Sequence, residues 1–169
     1  MYTVKILGID PGLAIVGYGV IEYKNSGFTT IAYGSVLTQA HTPTEDRLAT
    51  IYSDLSELIE MYRPEEIAIE ELFFNTNQKT AITVAEARGV ILLCAKQHGL
   101  RIFEYTPLQV KQSVVGYGRA EKKQVIEMTK MILQLTETPK PDDTADALAI
   151  AVCHAHTGGS RISGYYNLK

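Results

Sequence analysis

Five acidic residues stand where carboxylates can do chemistry. Asp10 closes the short β-branched-rich run of Val4, Ile6, Leu7 and Ile9, just before Pro11-Gly12 ends it. Glu70 and Glu71 end a second such run, EIAIEE, and Asp143 and Asp146 open an apolar helical pattern. At their spacing the two aspartates share one helix face, with Cβ atoms about 5–6 Å apart. If Asp10 and Glu70 end neighbouring strands and the last helix packs across that end, four carboxylates converge and repel one another unless cations neutralise them. All-oxygen donors suit Mg²⁺ or Mn²⁺ rather than zinc. Two such ions about 3.5–4 Å apart clamp a phosphodiester, one activating water and the other stabilising the departing oxygen.

Plainer roles compete. Asp10 can stabilise its own Asp-Pro-Gly turn, and Asp143 and Asp146 can offset the helix macrodipole. Against the latter, Asp146 sits among Ala145, Ala147, Leu148 and Ala149, where an ionised carboxylate without a cation is costly. Periodicity does not choose between Glu70 and Glu71, because the pleat sends them to opposite faces.

The elements that must position these acids follow from the pattern. Residues 4–21 predict a tight β-hairpin with Gly12 in its turn, and 29–37 a third strand after the turn residues Lys24-Asn25-Ser26-Gly27, giving a meander. Thr42-Pro43-Thr44-Glu45 has the form of a capping box opening a helix that Pro64 ends. A strand over 66–71, a helix over 79–98 with a stripe of Val84, Ala85, Arg88, Ile91, Leu92 and Ala95, and a strand over 101–105 then predict parallel pairing with right-handed crossovers. Helices over 108–115 and 121–135, broken by Gly116-Tyr117-Gly118, precede a final helix over 142–157. The fold class is therefore α/β, a mixed five-stranded sheet with helices on both faces.

The chain has 169 residues, 46% of them hydrophobic, which suits one domain over 1–157 followed by a tail over 158–169. No charged-then-apolar leader opens it, and its longest apolar run, 90–95, is far short of the roughly 18 residues of a membrane span, so a cytoplasmic, membrane-free setting is expected. Cys94 and Cys153 fall in apolar helical patterns as reduced thiols. No Cys/His spacing suits zinc and no nucleophile elbow is present; His154 and His156 are assigned to helix surface or core packing. Nine Lys and Arg face four Glu between residues 73 and 135, a net +5 inside a chain of net charge −3, enough to hold a polyanion on one side.

Several stretches together resemble the RuvC family of Holliday-junction resolvases over nearly the whole length. They are Gly8-Ile9-Asp10-Pro11-Gly12, Ala68-Ile69-Glu70-Glu71-Leu72-Phe73, Ala85-Glu86-Ala87-Arg88-Gly89, Thr106-Pro107-Leu108-Gln109-Val110-Lys111-Gln112, Val114-Val115-Gly116 with Ala120-Glu121-Lys122, and 143–151, DTADALAIA. The resemblance implies an RNase H-like fold and a homodimeric, Mg²⁺-dependent endonuclease that nicks opposing strands of a four-way DNA junction, leaving 5′-phosphate and 3′-hydroxyl ends. It implies that Asp10, Glu70, Asp143 and Asp146 are the catalytic, metal-holding carboxylates, Glu70 taking precedence over Glu71. It also implies that Phe73 presses on junction bases, that Lys111 and Lys122 bind DNA, and that the RuvA and RuvB branch-migration proteins are partners. Phe73 in a polar loop can stack on an unpaired base, though Phe73 or Phe74 can equally fold back on the core. An actin-type ATPase, an RNase H-like nuclease acting on RNA and a non-catalytic junction binder are the rival readings. The first needs two such domains and further phosphate loops, more than this length supplies.

Overall fold

The computed structural model describes residues 3–72 and 78–158, the side chains of Gln78 and Lys79 excepted. Three strands form an antiparallel meander, β1 (Thr3–Asp10), β2 (Ile15–Lys24) and β3 (Gly27–Leu37), and β4 (Glu66–Glu70) and β5 (Arg101–Tyr105) add in parallel beyond β1, giving the order β3-β2-β1-β4-β5. Helices α1 (Thr44–Tyr62) and α2 (Gln78–Gln97) cover one face; α3 (Pro107–Val115), α4 (Lys122–Ile132) and α5 (Asp142–Gly158) cover the other. The mixed sheet with helices on both faces is thus the one the strand and helix order predicts.

Period-two alternation builds two cores from the same strands. Leu7, Ile9, Ile67 and Ile69 pack with Ile51, Leu55 and Ile91 of the first helix pair. Val4, Ile6 and Ala68 turn the other way, towards Leu148, Val152 and Val110. By the same alternation Asp10 and Glu70 project from the α5 face of the sheet.

Helix α5 is buried on every side because it runs between the sheet and the α3–α4 pair. Its approach to the sheet is unusually close. A Cβ on Gly8 would lie 2.1 Å from the Ala147 carbonyl oxygen, one on Gly17 2.0 Å from that of Asp143, and one on Gly19 2.5 Å from Leu148 Cδ2. Gly8 pairs across the ladder with Gly19, and Gly17 with Asp10, so the three glycines form one patch without side chains on β1 and β2. The helix backbone rests on that patch, and the Thr144 hydroxyl ties its first turn to β3 by donating to the Gly34 carbonyl at 3.0 Å.

A buried polar chain fixes the other end of α5. His154 Nε2 lies 2.6 Å from Glu66 Oε2 and its Nδ1 2.6 Å from the Tyr105 hydroxyl, while Arg101 reaches Glu66 Oε1 at 2.7 Å. Phe103 lies against the imidazole, ring centroids 4.4 Å apart. His154 therefore belongs to the core, one of the two places expected for it, and links α5 to β4 and β5.

Local details depart from expectation in two turns. Gly12 is not in the left-handed region; it is needed for room, since a Cβ there would meet the Ile15 carbonyl oxygen at 2.4 Å. The 42–45 capping box does not form: Pro43 is the N-cap without a side-chain cap, and Thr42 Oγ1 donates back to the Gln39 carbonyl. A full box appears instead at α3, between Thr106 and Gln109. The turn before β3 is a two-residue mirror-type turn in which Asn25 and Ser26 take φ of 49° and 66°. Cys94 and Cys153 are free and buried, and among the described residues no helix is long and apolar enough to cross a membrane.

Gly8→Ala forces a methyl into the α5 backbone and is expected to destabilise the protein by about 1–3 kcal/mol, as overpacking does. Urea unfolding measures this, and a midpoint equal to wild type contradicts the close-approach account.

Candidate active site

Three elements, β1, β4 and α5, deliver the four acids. Ile9 of β1 pairs with Ile69 of β4, so the next residue on each strand, Asp10 and Glu70, stands at the same C-terminal rim. The carbonyl of Asp143 lies over Gly17, the ladder partner of Asp10, which brings the first turn of α5 across that rim. Asp146 follows one turn on, on the same side of the helix. The four carboxylates expected to converge are thus brought to one end of the sheet.

Their electrostatics record the crowding. Asp10 is pushed up to about 8 from an ordinary 3.8, first by burial and then by the charges of Glu70, Asp146 and Asp143. Burial and Asp146 raise Glu70 in turn. Asp146 is also raised by burial, although the ammonium of Lys122 pulls against it. Lys122 Nζ lies 2.9 Å from Asp146 Oδ2 and 3.5 Å from Asp142 Oδ2, and its charge partly relieves Asp10, Glu70 and Asp146 alike.

Beside the acids opens a cleft of about 260 Å³ walled by Glu70, Asp146, Lys111 and Lys122, with Val110 and Ile150 among its apolar lining. Glu70 faces this cleft and Glu71 is not part of its wall; the Glu71 amide continues the ladder by donating to the Tyr105 carbonyl at 2.8 Å. Asp10 and Asp143 are also off the wall, and act on it through the shared field. Lys111 comes from α3, whose start is fixed by the Thr106 box directly after β5. Phe73 lies outside the described residues.

One residue that the pattern placed on an apolar stripe belongs to this rim. Arg88 of α2 donates from Nε to the Glu70 carbonyl at 3.3 Å, and its Nη2 lies 2.9 Å from Glu104 Oε1. Its charge in an otherwise apolar row was the available signal. Arg88 braces the backbone that carries Glu70.

The donor set fits a hard divalent cation: all carboxylate oxygen, mutually repelling, and among the described residues relieved by the Lys122 ammonium. Among the described residues no three Asp, Glu, His or Cys side chains already form a closed ligand group, so the fit rests on charge and donor chemistry.

The family model described as crossover junction endodeoxyribonuclease RuvC matches residues 6–154. The chain belongs to the RuvC family. It is 58% identical over 153 residues to the crossover junction endodeoxyribonuclease RuvC of Caldanaerobacter subterraneus subsp. tengcongensis and 60% identical over 153 residues to that of Alkaliphilus oremlandii, covering 90% of this chain and 93% of the relative in both cases. The structure of Thermus thermophilus RuvC in complex with Holliday junction substrate is similar at a TM-score of 0.87 and 36% identity, over 92% of this chain and 94% of that one. The fold of this RuvC-family chain is accordingly RNase H-like.

The folded protein holds the Asp10 proton more tightly than the unfolded chain does. The Asp10 contribution to stability is fully present below the unfolded value of 3.8 and is lost as pH rises through about 8. In the absence of divalent cations, Asp10→Asn is therefore expected to melt several degrees above wild type at pH about 9 and to match it at pH about 4. Equal melting temperatures at both pH values contradict the electrostatic reading of the site.

Proposed function

We propose that the chain resolves four-way (Holliday) DNA junctions as a homodimeric, divalent-cation-dependent endonuclease of homologous recombination and DNA repair. Its carboxylates Asp10, Glu70, Asp143 and Asp146 act at the scissile phosphodiester. The observation that carries this reading is the convergence of those acids beside the Lys111–Lys122 cleft in a RuvC-family chain. Strained acids of this kind are costly to keep, and a protein that only bound junctions would have no use for them.

The four carboxylates would hold two Mg²⁺ ions, with Mn²⁺ able to substitute, and such ions supply an activated water and a stabilised leaving oxygen. Lys122 holds Asp146 in place and keeps part of the repulsion in check until DNA arrives. Lys111, which also lines the cleft, draws the phosphate in. Phe73, three residues beyond Glu70, would stack on a base opened at the junction centre, an interaction worth about 1–3 kcal/mol. The products would carry 5′-phosphate and 3′-hydroxyl ends.

Two-fold symmetry of a dimer gives two equivalent sites for the two opposed strands of a junction. The nuclease unit on this reading spans residues 1–157, works in the cytoplasm and cooperates with the RuvA and RuvB branch-migration proteins.

Asp10→Asn, Glu70→Gln and Asp146→Asn are each expected to slow cleavage of a synthetic four-way junction by about 10²-fold or more while retaining junction binding. Chelation with EDTA should have the same effect and added Mg²⁺ should reverse it. A variant that cuts at the wild-type rate removes that residue from the site, and selective cutting of structured RNA would favour the RNA-directed alternative. Lys111→Ala is expected to reduce the slope of log affinity against log salt by about 0.9; an unchanged slope removes Lys111 from the phosphate path.

A further inference from the structure

A second concavity lies beside the α4–α5 connection. Tyr33 of β3, Lys130 of α4 and the 136–140 loop enclose about 590 Å³, more than twice the volume of the acid cleft at about 260 Å³. Its polar groups are the Tyr33 and Thr136 and Thr138 hydroxyls, the ammonium groups of Lys130 and Lys140, and one carboxylate, Glu137. Neither lysine forms an ion pair with any described residue, in contrast to Lys122. Tyr33 is 41% exposed on an edge strand, in line with exposed Ile31 and Leu37, so its ring is not consumed by the core.

The pocket shares helix α4 with the site, since Lys122 and Val125 line the acid cleft and Lys130 lines the second concavity. Lys122 is the first residue of α4 and Lys130 lies eight residues on, about 12 Å along the helix axis. At about 3.4 Å of axial rise per nucleotide, that distance corresponds to three or four nucleotides of one strand. Lys140 closes the loop two residues before Asp142, which itself touches Lys122 at 3.5 Å. A phosphate backbone engaged at the acid cleft can therefore continue past α4 into the second pocket. The pocket is broad and open, offers donors and cations, and contains a single opposing charge, a composition suited to a sugar–phosphate backbone rather than to base edges.

We propose that this pocket is a second phosphate-binding site, which holds the backbone of one duplex arm about three or four nucleotides from the scissile bond and sets how the arm leaves the junction. It rests on the junction-resolving function above. Lys130 and Lys140 carry the phosphate contacts, and the Tyr33 and threonine hydroxyls supply hydrogen bonds to the same oxygens.

The test uses the full chain and an immobile four-way junction in EDTA, where binding is read without cutting. Lys130→Gln/Lys140→Gln is expected to reduce the slope of log affinity against log salt by about 1.8, so that the wild-type advantage shrinks about tenfold between 50 and 200 mM salt. Neutral methylphosphonate linkages three and four nucleotides from the cleavage point should weaken wild-type binding and leave the double variant unaffected. Cleavage at saturating junction and the melting temperature should stay at wild-type values in Mg²⁺, because neither lysine belongs to the catalytic cleft. An unchanged salt slope, or an equal methylphosphonate penalty in both proteins, overturns the proposal. Absence of any methylphosphonate penalty in wild type overturns it as well. Absence of any junction binding by wild type would instead overturn the function on which the proposal rests.

Discussion

The backbone of α5 lies directly on a strip of β1 and β2 that has no side chains. Gly8, Gly17 and Gly19 make that contact possible, and any Cβ there would sit about 2–2.5 Å from helix atoms, inside the range real contacts occupy. Helix–sheet packing through ordinary side chains keeps the layers farther apart. By removing that spacer at three points, the chain brings Asp143 and Asp146 down to the rim where β1 and β4 end in Asp10 and Glu70. Position along the helix is then fixed at both ends, by Thr144 on the Gly34 carbonyl and by His154 between Glu66 and Tyr105.

The same contact creates an electrostatic problem that the fold leaves only partly solved. Burial and mutual repulsion raise Asp10, Glu70 and Asp146, with Lys122 as partial relief. A protein selected for stability alone would replace some of these acids by neutral groups. Retaining them makes sense where a divalent cation and a phosphodiester complete the site, and Arg88 and the Thr106 capping box spend further interactions on holding Glu70 and Lys111 at its edge. The cost falls on the metal-free protein, and the return is a site already shaped for its charge-bearing ligands.

Much of this was legible in the chain. Alternation in EIAIEE separated the Ile67–Ile69 face from the Ala68–Glu70 face, and the order of strands and helices implied the mixed sheet. The acids announced themselves because they interrupt apolar runs. What remained hidden depends on tertiary approach. The glycines of β2 alternate with apolar residues as a strand allows, and nothing local says that a helix backbone will occupy the space beside them. Arg88 looked like one position in an apolar stripe, and only the turn of α2 against β4 reveals its bond to the Glu70 carbonyl. The Thr42 box failed because Pro43 takes the N-cap place and the Thr42 hydroxyl finds the Gln39 carbonyl instead. His154 carried no signal at all for its partners, which lie 88 and 49 residues away.

Acids from separate elements share one electrostatic field, which a bound divalent cation would relieve. Titration of the Asp10 carboxyl carbon by ¹³C NMR tests this directly, in metal-free protein and again with saturating Mg²⁺. The structure predicts a midpoint near about 8 without the cation and a marked fall when Mg²⁺ is present. A midpoint close to the ordinary 3.8 under both conditions would show that the carboxylates do not meet as described.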